Sequence, residues 1–269
     1  MDLKGKVALI TGGGTGLGTA ITRRFVKEGA RVCISGRRRE KLEQMAKSLP
    51  KESVYICPGD VSRDDDARRM VEETVKFGGR LDVLVNNAAT DVKARITELS
   101  PADWRKVIET NLTGPFLLMH YAIPVMMKAD GGSIINIASL GGTRCLPACP
   151  AYNTAKAGLI MLTQQAALDY GPYKIRANAV CPGGIDTELL DEMILPLAKA
   201  LGTDKQGGLD YFSKHVPLRR VSKPEEITGL CVYLASEESS FMTGAALLID
   251  GGAAIVDVSG AAVSEAGIQ

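Results

Sequence analysis

Short apolar runs recur along this chain, and stretches of helical periodicity lie between them. The runs are Val7–Ile10, Arg31–Ser35, Val54–Cys57, Leu81–Val85, Ser133–Ser139, Ile175–Cys181 and Ala245–Asp250. Each has strand length, and most are apolar on successive residues rather than alternate ones. Such strands bury both faces, which is the condition of a parallel sheet with helices on both sides. In the intervals, Leu17, Ile21 and Phe25 recur every four residues. Leu42, Met45, Ala46 and Leu49 share one helical face, as do Ala67, Met70, Val71, Thr74 and Val75. Ser100-Pro101-Ala102-Asp103 and Ser222-Lys223-Pro224-Glu225 carry the signature of a helix start, with proline at or near the first turn. The expected fold is α/β: a single Rossmann-like, doubly wound parallel sheet of about seven strands with helices on both faces. No linker breaks the rhythm, and 45% hydrophobic residues suffice for one large core, so residues 1–269 are expected to form one domain. Two segments stand outside the alternation. Residues 188–220 carry an extra helical patch (Leu189, Leu190, Met193, Ile194, Leu197), and residues 253–269 form a tail. In that tail Ile255, Val256 and Val258 are candidates to pack on a neighbouring subunit.

The charge balance narrows the partners. With 32 basic and 31 acidic residues the net charge is +1, which favours neither nucleic acid nor an anionic membrane. No apolar run reaches the roughly eighteen residues of a membrane span. Met1-Asp2-Leu3-Lys4-Gly5-Lys6 leads directly into the first strand without a signal-peptide layout, so a cytoplasmic protein is expected. Cys33, Cys57, Cys145, Cys149, Cys181 and Cys231 read as free thiols. Cys145 and Cys149 are not spaced as a C-x-x-C pair, and His120 and His215 are remote, so no metal site is expected.

Between the first strand and the Leu17 helix lies Thr11-Gly12-Gly13-Gly14-Thr15-Gly16-Leu17-Gly18. A helix start offers unpaired N–H groups and the positive end of its dipole, and glycines let the backbone come close to a phosphate. The spacing Gly12-x-x-x-Gly16-x-Gly18 differs from G-x-G-x-x-G, and the Gly-Lys-Ser/Thr of a P-loop is missing. A dinucleotide is therefore favoured over ATP or GTP. After the second strand comes Gly36-Arg37-Arg38-Arg39, where a protein that grips an unmodified ribose places an acid. Cations at a helix start are unfavourable, and the 2′-phosphate of NADP would offset that cost. NADP(H) is expected over NAD(H).

Tyr152 and Lys156 stand at i and i+4 on one helical face. Tyrosine ordinarily titrates near ~10. An ammonium at ~4 Å stabilises a phenolate by roughly 1 kcal/mol in water and about 4 at an effective dielectric near 20. That is enough to bring Tyr152 toward neutrality as an acid–base group. Ser139 ends one strand and Asn86-Asn87-Ala88-Ala89 ends another, on the sheet edge where doubly wound folds bind ligands. Asn111 follows the Ser100 helix start.

These elements together resemble the short-chain dehydrogenase/reductase family, from about Lys4 to Gly252. Thr11-Gly12-x-x-x-Gly16-x-Gly18 matches the family's cofactor loop, with Thr15 and Leu17 inside it. Asp60-Val61 matches its adenine-contacting pair, and Asn86-Asn87-Ala88-Ala89 its N-N-A-G element, with Ala89 in place of the glycine. Pro182-Gly183-Gly184-Ile185-Asp186-Thr187 matches the segment holding the nicotinamide carboxamide. Asn111, Ser139, Tyr152 and Lys156 match the catalytic tetrad.

The resemblance implies a general acid/base role for Tyr152. Lys156 would lower its pKa and hold the nicotinamide ribose, Ser139 would polarise the carbonyl, and Asn111 would hold a water of a proton relay. Thr15 stands where many NADP-using relatives carry a base, so Arg37 and Arg38 carry the NADP expectation. The resemblance also implies a homotetramer, with a dimer as the alternative. It places a small carbonyl or alcohol substrate between residues 140–150 and a lid at 188–220. Both segments are largely apolar, which favours a hydrophobic or cyclic ketone or secondary alcohol. A 3-oxoacyl thioester reductase and a non-catalytic NAD(P)-binding sensor are the alternatives.

Overall fold

A computed structural model describes residues 2–257 and 259–261. Seven parallel strands form one sheet: β1 (Val7–Thr11), β2 (Arg31–Gly36), β3 (Val54–Pro58), β4 (Val83–Asn86), β5 (Gly132–Ile137), β6 (Ile175–Pro182) and β7 (Ala246–Ile249). Their spatial order is β3-β2-β1-β4-β5-β6-β7. The order reverses between β1 and β4, and there a crevice opens at the carboxyl ends of the strands.

The two-residue period of each strand divides the core in two. Ala8 and Ile10, Val32 and Ile34, Val83 and Val85 face one side. There they meet Leu17, Ile21 and Phe25 of α1 (Gly16–Lys27) and Ile227, Cys231 and Val232 of α9 (Pro224–Ala235). Leu9, Cys33 and Leu84 face the other side. They meet Met70 and Val71 of α3 (Asp64–Gly78), Leu118, Ala122 and Met126 of α5 (Gly114–Lys128), and Ala166 of α6 (Pro150–Tyr170). Phe25 is fully buried, and truncating such a side chain to alanine costs about 3–5 kcal/mol.

Around this frame lie α2 (Arg39–Ala46), α4 (Pro101–Ile108), α7 (Glu188–Leu201) and α8 (Lys205–Phe212). Ser100 caps α4, its hydroxyl accepting from the Asp103 N–H at 3.0 Å. The second expected cap falls one residue later. Lys223, not Ser222, precedes α9, and its N–H donates to the Glu226 carboxylate at 2.8 Å. Ser222 is drawn away because it pairs with Ile185 in an isolated parallel bridge and bonds the Gly184 carbonyl. Strand β5 ends at Ile137, two residues before Ser139, which instead caps the short 3-10 turn Leu140–Gly142. Ala253–Ile255 make one further 3-10 turn, and Val258 and residues 262–269 lie outside the described residues. Among the described residues no helix is long and apolar enough to cross a membrane, and no three metal-ligating side chains cluster.

Candidate active site

The chain turns sharply as β1 ends. Gly12 takes φ +66°, a left-handed conformation that a side chain would strain. Gly18 lies under that turn, where an added Cβ would stand 2.1 Å from the Gly12 carbonyl oxygen. The loop is pinned to the end of β4 through Thr11. Its hydroxyl accepts from the backbone N–H groups of Asn87 and Ala88, both at 3.0 Å. The Asn87 amide returns a bond to the Thr11 carbonyl at 2.9 Å. Helix α1 begins with no side-chain cap and no acid in its first turn, so its free N–H groups face the crevice. Those features fit a pyrophosphate, and no side chain of the loop competes for the position.

A cavity of about 710 Å³ runs from this loop across the sheet edge. Near the glycine loop it is lined by Gly12, Thr15, Gly16, Leu17, Arg37, Arg38, Asp60 and Val61. Asn87, Ala88, Ala89, Ser139, Tyr152, Lys156, Pro182, Gly183, Ile185 and Thr187 line it further along. Two expected residues stay outside. Gly18 packs beneath the loop, and Asn111 is fully buried behind it. Asn111 sits in a π-helical turn, Glu109–Thr113, between α4 and α5. Its amide clasps Thr90, donating to the carbonyl at 2.6 Å and accepting from the N–H at 3.0 Å. Its neighbour Thr110 reaches the cavity.

At the ribose end, Arg37 and Arg38 are exposed on the cavity rim. Arg38 reaches across to the Thr15 hydroxyl and to Glu188, each at 3.4 Å, and among the described residues Arg37 has no side-chain partner. Strand β2 ends at Gly36, and no carboxylate follows before Glu40. That stretch of the rim offers two guanidinium groups and no carboxylate of its own to an anion.

The Tyr152–Lys156 pair corrects one expectation. Lys156 is buried, donates to the Ile137 carbonyl at 2.7 Å, and lies 5.6 Å from the centroid of the Tyr152 ring. It does not pull the phenol down. Burial pushes Tyr152 up to about 12, a hydrogen bond with Ser139 opposes that, and the charge of Asp91 adds to the rise. Burial also depresses the Lys156 ammonium to about 8. The i,i+4 spacing fixed the two Cβ positions, and desolvation of this wall then outweighed the attraction between the side chains.

The far end is built from the loop before α6 and from helices α7 and α8. Leu146, Pro147, Leu189, Leu190, Met193 and Phe212 line it, together with Val216. Arg144 is exposed and lies outside the lining. Sequence reasoning missed Asp91 and Lys93, charged side chains on this end of the wall. They lie just beyond Ala89, and no periodicity marks them.

The comparisons with known proteins agree with this geometry. Residues 12–254 match the family model described as enoyl-(acyl carrier protein) reductase. An uncharacterized oxidoreductase of Thermotoga maritima is 39% identical over 95% of this chain and 100% of its own length. A 3-oxoacyl-[acyl-carrier-protein] reductase of the same organism is 36% identical with the same coverage. The crystal structure of levodione reductase superposes with a TM-score of 0.88 at 29% identity, covering 94% of this chain and 99% of that one.

Proposed function

Because the chain belongs to the short-chain dehydrogenase/reductase family and is an NAD(P)-dependent oxidoreductase, we propose that it interconverts a ketone and a secondary alcohol. The cofactor in this reading is NADP(H) in preference to NAD(H), and the substrate is a hydrophobic or cyclic small molecule. One observation carries it: Ser139, Tyr152 and Lys156 line the same cavity whose other end is rimmed by Arg37 and Arg38. NADP(H), when bound, supplies or takes the hydride.

The chain's own residues do the rest. The loop from Gly12 to Leu17 and the start of α1 hold the pyrophosphate, Arg37 and Arg38 the 2′-phosphate, and Asp60 and Val61 the adenine. Ile185 and Thr187 orient the reacting ring. Tyr152 gives its proton to the carbonyl oxygen as that oxygen becomes a hydroxyl. Held up at about 12, the phenol is protonated at neutral pH, the form that donates in the direction of reduction. Ser139 orients and polarises the carbonyl, and a proton returns through Lys156; the Asn111 side chain, held on Thr90, fixes the π-helical turn behind that wall rather than holding the relay water itself. The same reading takes residues 1–269 as one catalytic domain of a cytoplasmic homotetramer. Exposed Phe116 on α5 and Met161 and Leu168 on α6 are apolar surface available for a subunit contact.

A panel of aliphatic and cyclic ketones, run with NADPH and with NADH, tests the reading. Oxidation of NADPH by at least one ketone is expected, and silence across the panel with cofactor bound would favour the sensor. Arg37→Ala should weaken NADPH binding about tenfold while NADH binding changes little. Equal losses would remove Arg37 from 2′-phosphate recognition. An acetoacetyl thioester belongs in the same panel, because the 36% identical relative is named a 3-oxoacyl-[acyl-carrier-protein] reductase.

A further inference from the structure

Among the described residues the cavity lining holds Asp91 beside Tyr152 at the apolar end, while Glu188 at the start of α7 turns to Arg38 at the rim. Asp91 lines the wall with Tyr152, yet its side chain is only 8% exposed. Its surroundings fix it in place. One oxygen accepts the Val92 N–H at 2.8 Å. The other accepts the Cys149 thiol at 3.6 Å and faces the Lys93 ammonium at 3.5 Å. The loop bearing Asp91 is tied to the loop bearing Cys149, because the Ala94 N–H donates to the Ala148 carbonyl at 2.9 Å. Burial and the Asp91 charge hold the Cys149 thiol up at about 11, so it remains an S–H donor at neutral pH.

An ionised carboxylate accepts about four hydrogen bonds. The bonds to Asp91 leave acceptor capacity on the oxygen that meets only a thiol and a loose ion pair, and that residue borders the space where a substrate must lie. Lys93 lines the same space and supplies a donor beside the acceptor. The pair is electrically balanced. A substrate carboxylate would meet Asp91, a substrate ammonium would meet Lys93, and each would be opposed by one member of the pair. A neutral hydroxyl satisfies both, donating to Asp91 and accepting from Lys93.

We propose that Asp91, with Lys93, determines the substrate class: the enzyme takes a ketone that carries a second hydroxyl, or the corresponding diol. This rests on the reading of the Tyr152 wall as a ketone-reducing site, and it makes Asp91 a specificity-determining residue rather than an acid–base group.

The test compares 2-hydroxycyclohexanone with cyclohexanone, using the purified enzyme and NADPH. The wild type should favour the hydroxyketone in kcat/KM by about tenfold or more, mainly through KM. Asp91→Leu should collapse that ratio toward one. Asp91→Asn, which keeps an acceptor oxygen and the shape, should retain part of it, and thermal melting of both variants reports on folding. No preference in the wild type, or an equal loss on both ketones in both variants, overturns the proposal. Calorimetric binding of cyclohexane-1,2-diol against cyclohexanol to the cofactor-loaded enzyme separates this idea from the redox reading. Diol-selective binding that Asp91→Asn weakens supports the assignment even where no ketone is reduced. Equal binding of the two alcohols, or binding of neither, sinks it.

Discussion

The two ends of the cavity are built from different materials. The glycine-loop end is made of backbone: a left-handed Gly12, the close approach of Gly18 to the Gly12 carbonyl, the uncapped start of α1, and two N–H groups gathered on the Thr11 hydroxyl. The other end is made of side chains projected from α7, α8 and the loop before α6. Backbone surfaces admit few residue types, because a Cβ in the wrong place collides with main chain. Side-chain surfaces admit almost any apolar residue of fitting size. The first end is therefore suited to an invariant ligand such as a dinucleotide phosphate, and the second to a substrate that differs from one family member to the next.

The largest expected effect lies where the two ends meet. Tyr152→Phe leaves the loop, the rim and the apolar wall intact and removes one hydroxyl. Steady-state turnover should fall by about 10²–10⁴-fold. NADPH binding, followed by fluorescence titration, should stay within about threefold of the wild type, since ring and packing persist. Retained turnover would remove Tyr152 from the proton-transfer role.

Next comes the backbone end. In Gly18→Ala the new methyl meets the Gly12 carbonyl oxygen at 2.1 Å and the Asn87 amide at 2.7 Å. The loop must shift, at a cost of about 1–3 kcal/mol in urea-derived stability, and cofactor affinity should fall with it. Thr11→Val probes the same end without adding bulk. It strips the acceptor from two N–H groups and should cost about 1–3 kcal/mol, with Thr11→Ser restoring most of it. At the side-chain end, Leu190→Ala should leave cofactor binding unchanged and alter KM for a hydrophobic ketone by less than about 2 kcal/mol. Should Leu190→Ala disturb the cofactor as much as Gly18→Ala does, the contrast between the two ends fails.

That contrast also explains what could be read from the sequence. The strand runs, the glycine spacing and the Tyr152–Lys156 interval are consequences of local geometry, which a linear string carries directly. The sheet, its crevice and most of the cavity lining follow from them. Asp91 is different. It is one acid in a loop, made significant by the path that brings residues 91–94 beside 148–149, and only the fold supplies that proximity. The same limit applies to Tyr152. Spacing put an ammonium on the same helical face, but the Ile137 carbonyl that holds it and the burial that outweighs it are tertiary facts. Asn111 was legible as a residue but not as part of a π-helical turn, because one extra residue per turn leaves little trace in periodicity.

The last effect concerns that buried ammonium and appears only in the pH dependence of stability. Burial holds the Lys156 ammonium down at about 8 in the folded protein, against an ordinary 10.5. Between those values the unfolded chain binds more protons than the folded one, so the Lys156 contribution to stability rises with pH across the window. Below about pH 8 the folded protein bears the full cost of burying the charge. By pH 10.5 that cost has gone. The buried thiols act with the opposite sign: Cys33 and Cys231 are held up at about 12 against 9.0 unfolded, and they lower stability as pH climbs past 9. The difference between wild type and Lys156→Met isolates the lysine, since the thiols are common to both. Urea midpoints should move in favour of the wild type as pH rises from 8, most steeply midway through the window, and level off beyond about 10.5. A difference that is flat with pH would place the Lys156 charge in water, and the wall it shares with Tyr152 would then be far wetter than its burial indicates.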